Sequence, residues 1–304
     1  NPIGNRVYVL DADTGAQLAE FSTDRAVVAD VFVITDSVTG LAKWAYAVDL
    51  GANVYRISGG ANTPIGNTAP GSWTFTKIAS LGGTGADARK FFFQPDIVED
   101  SAGTYVLLLG SGDREKPLKN YENAYKADNY FFMLKDKPAD SSWLTLEAGN
   151  CGGPRICLAS LLQITSGNPD PNDLKAKKGW YLDLLPGEQV VTSAITVFGV
   201  TTFSTQQPAA LVPGTCSSNL GIAKVYNIYY ANAASANGTS DRWQRIAGDG
   251  LPPSPVAGIV TLDDGTQQTF VIGSSPTSPL EGRQPLRPPN VEQSKGKIYW
   301  HIQQ

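Results

Sequence analysis

Histidine, cysteine and methionine are nearly missing from this chain: 304 residues hold one His, three Cys and one Met. Metal centres and nucleophilic triads draw heavily on the first two. Cys151, Cys157, Cys216 and the lone His301 do not have the paired ligand spacing of a zinc site. No G-x-S-x-G elbow supplies a nucleophile, so His301, beside Trp300, reads as structural rather than as a general base. The phosphate-loop spacing G-x-x-x-x-G-K-[ST] is absent, and the glycines at 82–85 lack the βα flank of a dinucleotide site. No apolar run approaches the roughly eighteen residues that suggest a membrane-crossing helix. Charged residues make up only 17%, and 24 basic against 28 acidic side chains give a net charge of -4. That balance excludes a nucleic-acid footprint, and the lysines at 175, 177 and 178 read as a solvated loop. Carboxylate neighbours such as Asp263 and Asp264, or Asp128 and Asp136, fall where turns recruit Asp for local backbone bonding. No catalytic residue is assigned.

The amino terminus, NPIGNRVYVLD, has no Met, no basic region and no apolar signal core. It is expected to be a processed product or a piece of something longer.

Glycine, at 31 residues, and proline, at 20, are abundant, and 41% of the chain is hydrophobic. Many short strands joined by sharp turns have this composition. Residues 6–21, RVYVLDADTGAQLAEF, state the grammar: a strand apolar on both faces, an Asp13-Thr14-Gly15 turn, then a strand with one polar face. The first of these strands is expected to be buried on both sides and to organise the rest. Residues 27–34, 44–50, 53–57 and 73–78 then read as four antiparallel strands, the unit of a propeller blade.

A second cycle is predicted from strands at 90–98, 104–112 and 129–134, with a charged loop between the last two. Tyr121 and Tyr125 in that loop have the spacing of a short helix. Residues 157–164 suggest a helical turn or two, and SGNPDPND at 166–173 is turn material. A third cycle is predicted from 178–184, 190–198, 200–205 and 224–230. A fourth takes 242–246, 254–260 and 268–273, with a hairpin turn at Asp263-Asp264-Gly265. Residues 276–289 read as extended surface loop and 297–302 as a final strand. The fold class is all-β: a partial β-propeller of four-stranded antiparallel blades, about half of a ring. The exposed flanks of such a half are expected to be met by blades from a separate or missing chain, most economically the other half of a cleaved precursor.

Three places carry candidate chemistry. Cys151 and Cys157 flank Gly152-Gly153-Pro154 and are expected to form a disulfide in an oxidising compartment, which leaves Cys216 over. Asp113, Arg114 and Glu115, after a buried strand, form either a surface loop that binds an anion or a sugar, or a salt-bridged blade corner. Asp36, in a turn between two strands, is a weak calcium candidate: Val38 and Gly40 stand where a D-x-[DN]-x-[DN]-G loop needs oxygen donors, although Asp30 or a carbonyl could assist.

Taken in order, VYVLDADTG, VVADVFVITDSVTGLAKWAYAVDLGANVYRI, RKFFFQPDIV, YVLLLGSGDREKPL and GWYLDLLPGEQVVTSAITVFGVTTFSTQQP resemble the C-terminal β-propeller of the type IV pilus tip factors, the PilY/PilC family. CSSNLGIAKVYNIYY and the terminal GKIYWHIQQ extend the resemblance over essentially the whole chain. It implies that residues 1–304 are the C-terminal part of one propeller of about seven blades. It also implies an extracellular place at the pilus tip or outer cell surface, reached through the periplasm. Contact with minor pilins, a role in pilus biogenesis, and adhesion to a host or abiotic surface follow from it. Many members carry a calcium loop at the position matching Asp36 to Lys43, from which this chain departs at Val38 and Gly40. No cofactor and no catalytic residue is carried over. Two other readings remain. LDADTG after a buried strand is also typical of quinoprotein dehydrogenases with pyrroloquinoline quinone, but Trp44, Trp73, Trp143, Trp180, Trp243 and Trp300 look like blade packing. The other is a carbohydrate-binding propeller.

Overall fold

The computed structural model describes residues 3–85, 88–118, 122–209, 220–278 and 281–283. The chain is all-β. A leading hairpin pairs β1 (Arg6–Leu10) with β2 (Gln17–Ser22). The first sheet is a meander of β3 (Phe32–Thr35), β4 (Ala42–Val48), β5 (Asn53–Ser58) and β6 (Thr74–Ser80), all antiparallel. The second contains β7 (Asp96–Ser101), β8 (Thr104–Gly110), β9 (Tyr130–Asp136), β10 (Leu162–Ile164) and β11 (Gly179–Asp183), in the order β10-β11-β9-β8-β7. The third is built on β14 (Val200–Gln207) and β15 (Ile222–Tyr229). Beside them lie β12 (Gln189–Val190), β13 (Ile195–Val197) and β16 (Trp243–Arg245). The last sheet has β17 (Val256–Thr261), β18 (Gln267–Ile272) and β19 (Gly282–Arg283). This is a propeller-like succession of sheets. Among the described residues it does not close into a ring.

Successive side chains on a strand point to opposite faces, so a strand apolar at every position can feed two cores. In the second sheet, Tyr105, Leu107, Leu109, Phe132 and Leu134 pack towards the first sheet against Tyr46, Val54 and Ile78. The intervening Val106, Leu108, Phe131 and Met133 pack towards the third, with Phe203, Tyr226 and Ile228. Strand β4 does the same: Trp44, Tyr46 and Val48 face the second sheet, whereas Ala45 and Ala47 join Val7 beneath the hairpin. Full burial of side chains such as Phe131 and Phe203 stabilises the stack by about 2–3 kcal/mol each.

The first blade has the four strands expected, although its first is strand only over Phe32–Thr35 and not from Val27, and several other expectations need correction. The opening strand is not buried on both sides: Val7 is buried and Val9 half-buried, while Tyr8 and Leu10 on the other face are 52% and 56% exposed. A two-stranded ribbon lies on the first sheet with one face and, among the described residues, pairs with no further strand. The run 90–98 is strand only from Asp96, because Pro95 has no N–H for the ladder, although Phe91 is core. Residues 179–183 complete the second sheet instead of opening the third. Gly179 allows this, since a Cβ there would lie 1.9 Å from the Met133 carbonyl oxygen.

Residues 190–198 are broken into β12 and β13, because the Thr192 hydroxyl takes the Ser204 N–H that would continue the ladder. Trp243–Arg245 closes the third sheet rather than starting the fourth. A helix, α3 (Pro171–Ala176), begins in SGNPDPND and runs past it, preceded along the chain by α1 (Glu122–Lys126) and α2 (Ala148–Cys151). Asp170 caps α3 by accepting the Asn172 N–H at 2.7 Å, and Pro171 fits its first turn. Residues 157–164 form a short 3-10 turn and then β10, parallel to β11. Gly282–Arg283 pairs with β18 inside the stretch read as loop. Tyr121, Cys216, His301, Trp300 and the strand expected at 297–302 lie outside the described residues.

Candidate functional site

At the end of β8 the chain turns across the seam between the second and third sheets. The Gly112 N–H donates to the Lys90 carbonyl at 3.1 Å, and a Cβ at Gly112 would meet the Val190 carbonyl oxygen at 2.4 Å. Only a residue without a side chain lets the two sheets approach this closely. Asp113 follows, buried. Its Oδ2 accepts from Lys90 Nζ at 2.6 Å and lies 3.8 Å from Lys116 Nζ, while its backbone N–H donates to Gln189 Oε1 at 2.6 Å. Gln189 Nε2 donates back to the Lys116 carbonyl at 3.3 Å.

Arg114 points elsewhere. Its Nη1 donates to the carbonyls of Val191 and Pro252, and its burial lowers its pKa. Glu115 is exposed. The three residues therefore do not form one surface triad. Asp113 and Arg114 staple the second sheet to the third and to the loop before β17, a corner fixed by charge, with Lys90 rather than Arg114 as the partner of Asp113. A cleft of about 430 Å³ opens beside them, lined by Lys90, Asp113, Lys116, Asn129 and Gln189 with small Gly and Ala walls. Asn129 Nδ2 is used by the carbonyls of Ala127 and Glu188, and its Oδ1 by Ser111. The cleft offers two ammonium groups and one carboxylate, with Lys90 and Asp113 paired to each other.

Asp36 serves its own turn. Its Oδ1 accepts the N–H groups of Val38 at 3.0 Å and Thr39 at 2.8 Å, and the Thr39 hydroxyl at 3.0 Å. These bonds, the Thr39 N–H first, lower its pKa. Asp11 makes the same bonds to Asp13 and Thr14, and both turns close with a left-handed glycine, Gly15 at φ 71° and Gly40 at φ 72°. The repeated D-x-x-T-G was a signal in the sequence, and the structure gives it a backbone-capping role. Oδ1 of Asp36 is thus engaged by its own turn, and the Val38 side chain carries no oxygen for a calcium loop. Among the described residues no three His, Cys, Asp or Glu side chains converge as a metal site.

The disulfide between Cys151 and Cys157 is formed as expected. The tryptophans are dispersed: Trp180 Nε1 donates to the Tyr230 carbonyl, Trp143 Nε1 to Lys135 and Trp73 Nε1 to Thr68. Trp44 lies under Arg56 and Trp243 under Lys224.

Two buried ion pairs were missed. Arg56 on β5 bonds both oxygens of Asp136 on β9 through Nη1, at 2.7 and 2.8 Å, and the Tyr46 hydroxyl donates to the same carboxylate at 2.9 Å. In the third sheet, Glu188 accepts from Lys224 Nζ at 2.7 Å, from Tyr226 OH at 2.9 Å and from Thr205 Oγ1 at 2.5 Å. Burial, followed by the neighbouring carboxylate, pushes both tyrosines well above their ordinary range. The available signal was a lone charge inside an apolar strand, as in NVYRIS and IAKVYNIY.

The fold thus belongs to the class of open, propeller-like stacks of antiparallel sheets, with polar side chains fixing its seams. No family model matches the chain, and no curated protein matches it. Among solved structures it is similar to the C-terminal domain of PilY1 from Pseudomonas aeruginosa, with a TM-score of 0.57 and 16% identity. The match covers 88% of this chain and 64% of that one, so the chain spans less than two thirds of its structural relative.

Proposed function

We propose that this chain is the C-terminal part of a noncatalytic, type IV pilus-associated propeller that supports pilus biogenesis and surface adhesion outside the cell. The observation that carries this reading is the likeness of fold to the PilY1 C-terminal domain over 88% of the chain. The order of sequence segments supports it independently. On this reading the domain is completed by further sheets, and its rigid face meets minor pilins at the filament tip.

Exposed apolar side chains support that completion. Tyr8, Leu10 and Leu18 are exposed on the leading hairpin; on the last sheet Val256 and Val260 are exposed on one face of β17 and Ile259 on the other. Apolar faces of this kind bind partners or self-associate.

The test is deletion of the coding region for residues 1–304 in its host, followed by complementation. Loss of surface pili and of attachment, restored by the complementing copy, is expected. Normal piliation and adhesion after deletion would end the proposal.

A further inference from the structure

We propose that the Cys151–Cys157 disulfide is a redox-sensitive latch that holds Ile156 as a plug in the seam between the first and second sheets. The proposal stands apart from the pilus reading.

Strand β6 is the edge of the first sheet, and part of that edge is covered by the disulfide loop. The Ile156 N–H donates to the Ile78 carbonyl at 2.8 Å, and its carbonyl accepts the Ser80 N–H at 2.9 Å. Ala79 and Ile156 form an isolated parallel bridge. The Ile156 side chain is fully buried, in the same cluster as Val54 and Ile78 of the first sheet and Leu107 and Leu134 of the second. One residue thus extends the ladder and fills the space between two sheets. It is held there from a loop containing Gly152 and Gly153, both left-handed, the residues with the most conformational freedom to lose on ordering.

Cys157, next to Ile156 in sequence, anchors the plug to Cys151 at the end of α2. Both cysteines are only partly buried, and Gly152 and Pro154 between them are exposed. A reductant can reach the bond while the plug is in place. A dithiol reductant would attack one sulfur as a thiolate and release the other, and its second thiol would then resolve the mixed disulfide. Two electrons and two protons pass to the protein, which gains two thiols as the reductant becomes a disulfide. Freed at one end, residues 152–157 can leave the β6 edge.

Other contacts oppose release. Ser160 Oγ donates to Glu147 Oε2 at 2.6 Å, and Lys178 lies 3.8 Å from Glu147. The experiment decides whether they suffice. The oxidised protein, with Cys216 alkylated first, is reduced with dithiothreitol, its new thiols are alkylated, and amide exchange is followed by mass spectrometry. Peptides covering 74–80 and 148–160 are expected to exchange roughly tenfold faster or more, with 200–207 and 222–229 unchanged. Unchanged exchange at 74–80 would show that the loop holds itself and would overturn the latch. Equal acceleration everywhere would overturn it too, since the bond would then maintain the whole fold. Ile156→Ala with the disulfide intact should reproduce the faster exchange at 74–80; no change there would remove Ile156 as the plug.

Discussion

The two faces of the second sheet are made by the same strands, yet they are sealed differently. Towards the first sheet, β8 and β9 send out aliphatic and aromatic side chains around a buried charge pair, Arg56 with Asp136. Towards the third, the centre is a stack of rings. Phe131 lies 3.8 Å from Phe203, and Phe203 lies 4.7 Å from Tyr226. Polar contacts there lie beside the stack, where the Tyr226 hydroxyl donates to the buried Glu188, and at the margins, Asp113 with Gln189 and Tyr230 with Asp100. A carboxylate gripped by a guanidinium and a phenol accepts one geometry, so the first seam has a fixed register. Stacked rings tolerate small sliding, so the second seam relies on these polar contacts for position. A buried pair contributes little net stability compared with apolar residues of the same shape, but it is costly to break by half.

The largest effect should come from halving that pair. Asp136→Asn keeps the shape and leaves the Arg56 guanidinium buried without a counter-charge, at a cost of about 3–5 kcal/mol. Chemical denaturation should show the loss, and the double variant Arg56→Met with Asp136→Leu should recover most of it. A loss below about 1 kcal/mol for Asp136→Asn would mean that the first seam does not depend on charge.

A smaller change in the opposite direction is expected where β7 meets β13. Burial pushes the Asp96 carboxyl up to about 6, against hydrogen bonds from Thr196 that lower it. Its Oδ2 has no hydrogen-bond partner. A folded pKa above the unfolded value means that the native state holds the proton more tightly. Its contribution favours folding at low pH and is lost as pH rises from about 4 through 6. Asp96→Asn should therefore stabilise the protein by about 2 kcal/mol at neutral pH and by almost nothing below pH 4. An equal gain at both pH values would contradict the titration. At the centre of the same seam, Phe203→Leu should cost about 1.5 kcal/mol without any pH dependence.

How far the sequence anticipated these seams depends on whether the partner was local. The first blade was legible because its strands follow one another and their ladders join neighbours in the chain. The disulfide was legible for the same reason, with two cysteines around Gly-Gly-Pro. Strand 179–183 was assigned to the wrong sheet because its partner, β9, lies across a long insertion that holds two helices and β10. For Asp113 the sequence leaves open a ligand-binding loop or a salt-bridged corner, because Lys90 is 23 positions away and nothing local names it. Arg56 and Asp136 are 80 positions apart. Each is an anomaly in an apolar strand, and only the packing of the sheets shows that the two anomalies answer each other. The hairpin failed differently: alternation shows which side chains could be buried, not whether a neighbouring sheet is present to bury them.

The smallest effect should lie outside both seams, at the two matching turns, and it sharpens the contrast because these carboxylates are exposed. Asp11 and Asp36 each accept two backbone N–H bonds and one threonine hydroxyl, so neither has a burial cost to offset. For Asp11 the Thr14 hydroxyl is the main cause of a lowered pKa, and for Asp36 it is the Thr39 N–H. Asp11→Ala and Asp36→Ala should therefore behave alike, each lowering stability only slightly in thermal melts at neutral pH. Stability from a depressed carboxyl is present above the unfolded pKa and fades as pH falls through the folded one, so the wild-type advantage should disappear under acid. Calcium is the useful perturbation. If both carboxylates only cap their turns, adding calcium should move the melts of wild type, Asp11→Ala and Asp36→Ala by the same amount. A calcium-dependent gain lost only in Asp36→Ala would give that turn a ligand role and break its equivalence with the turn at Asp11.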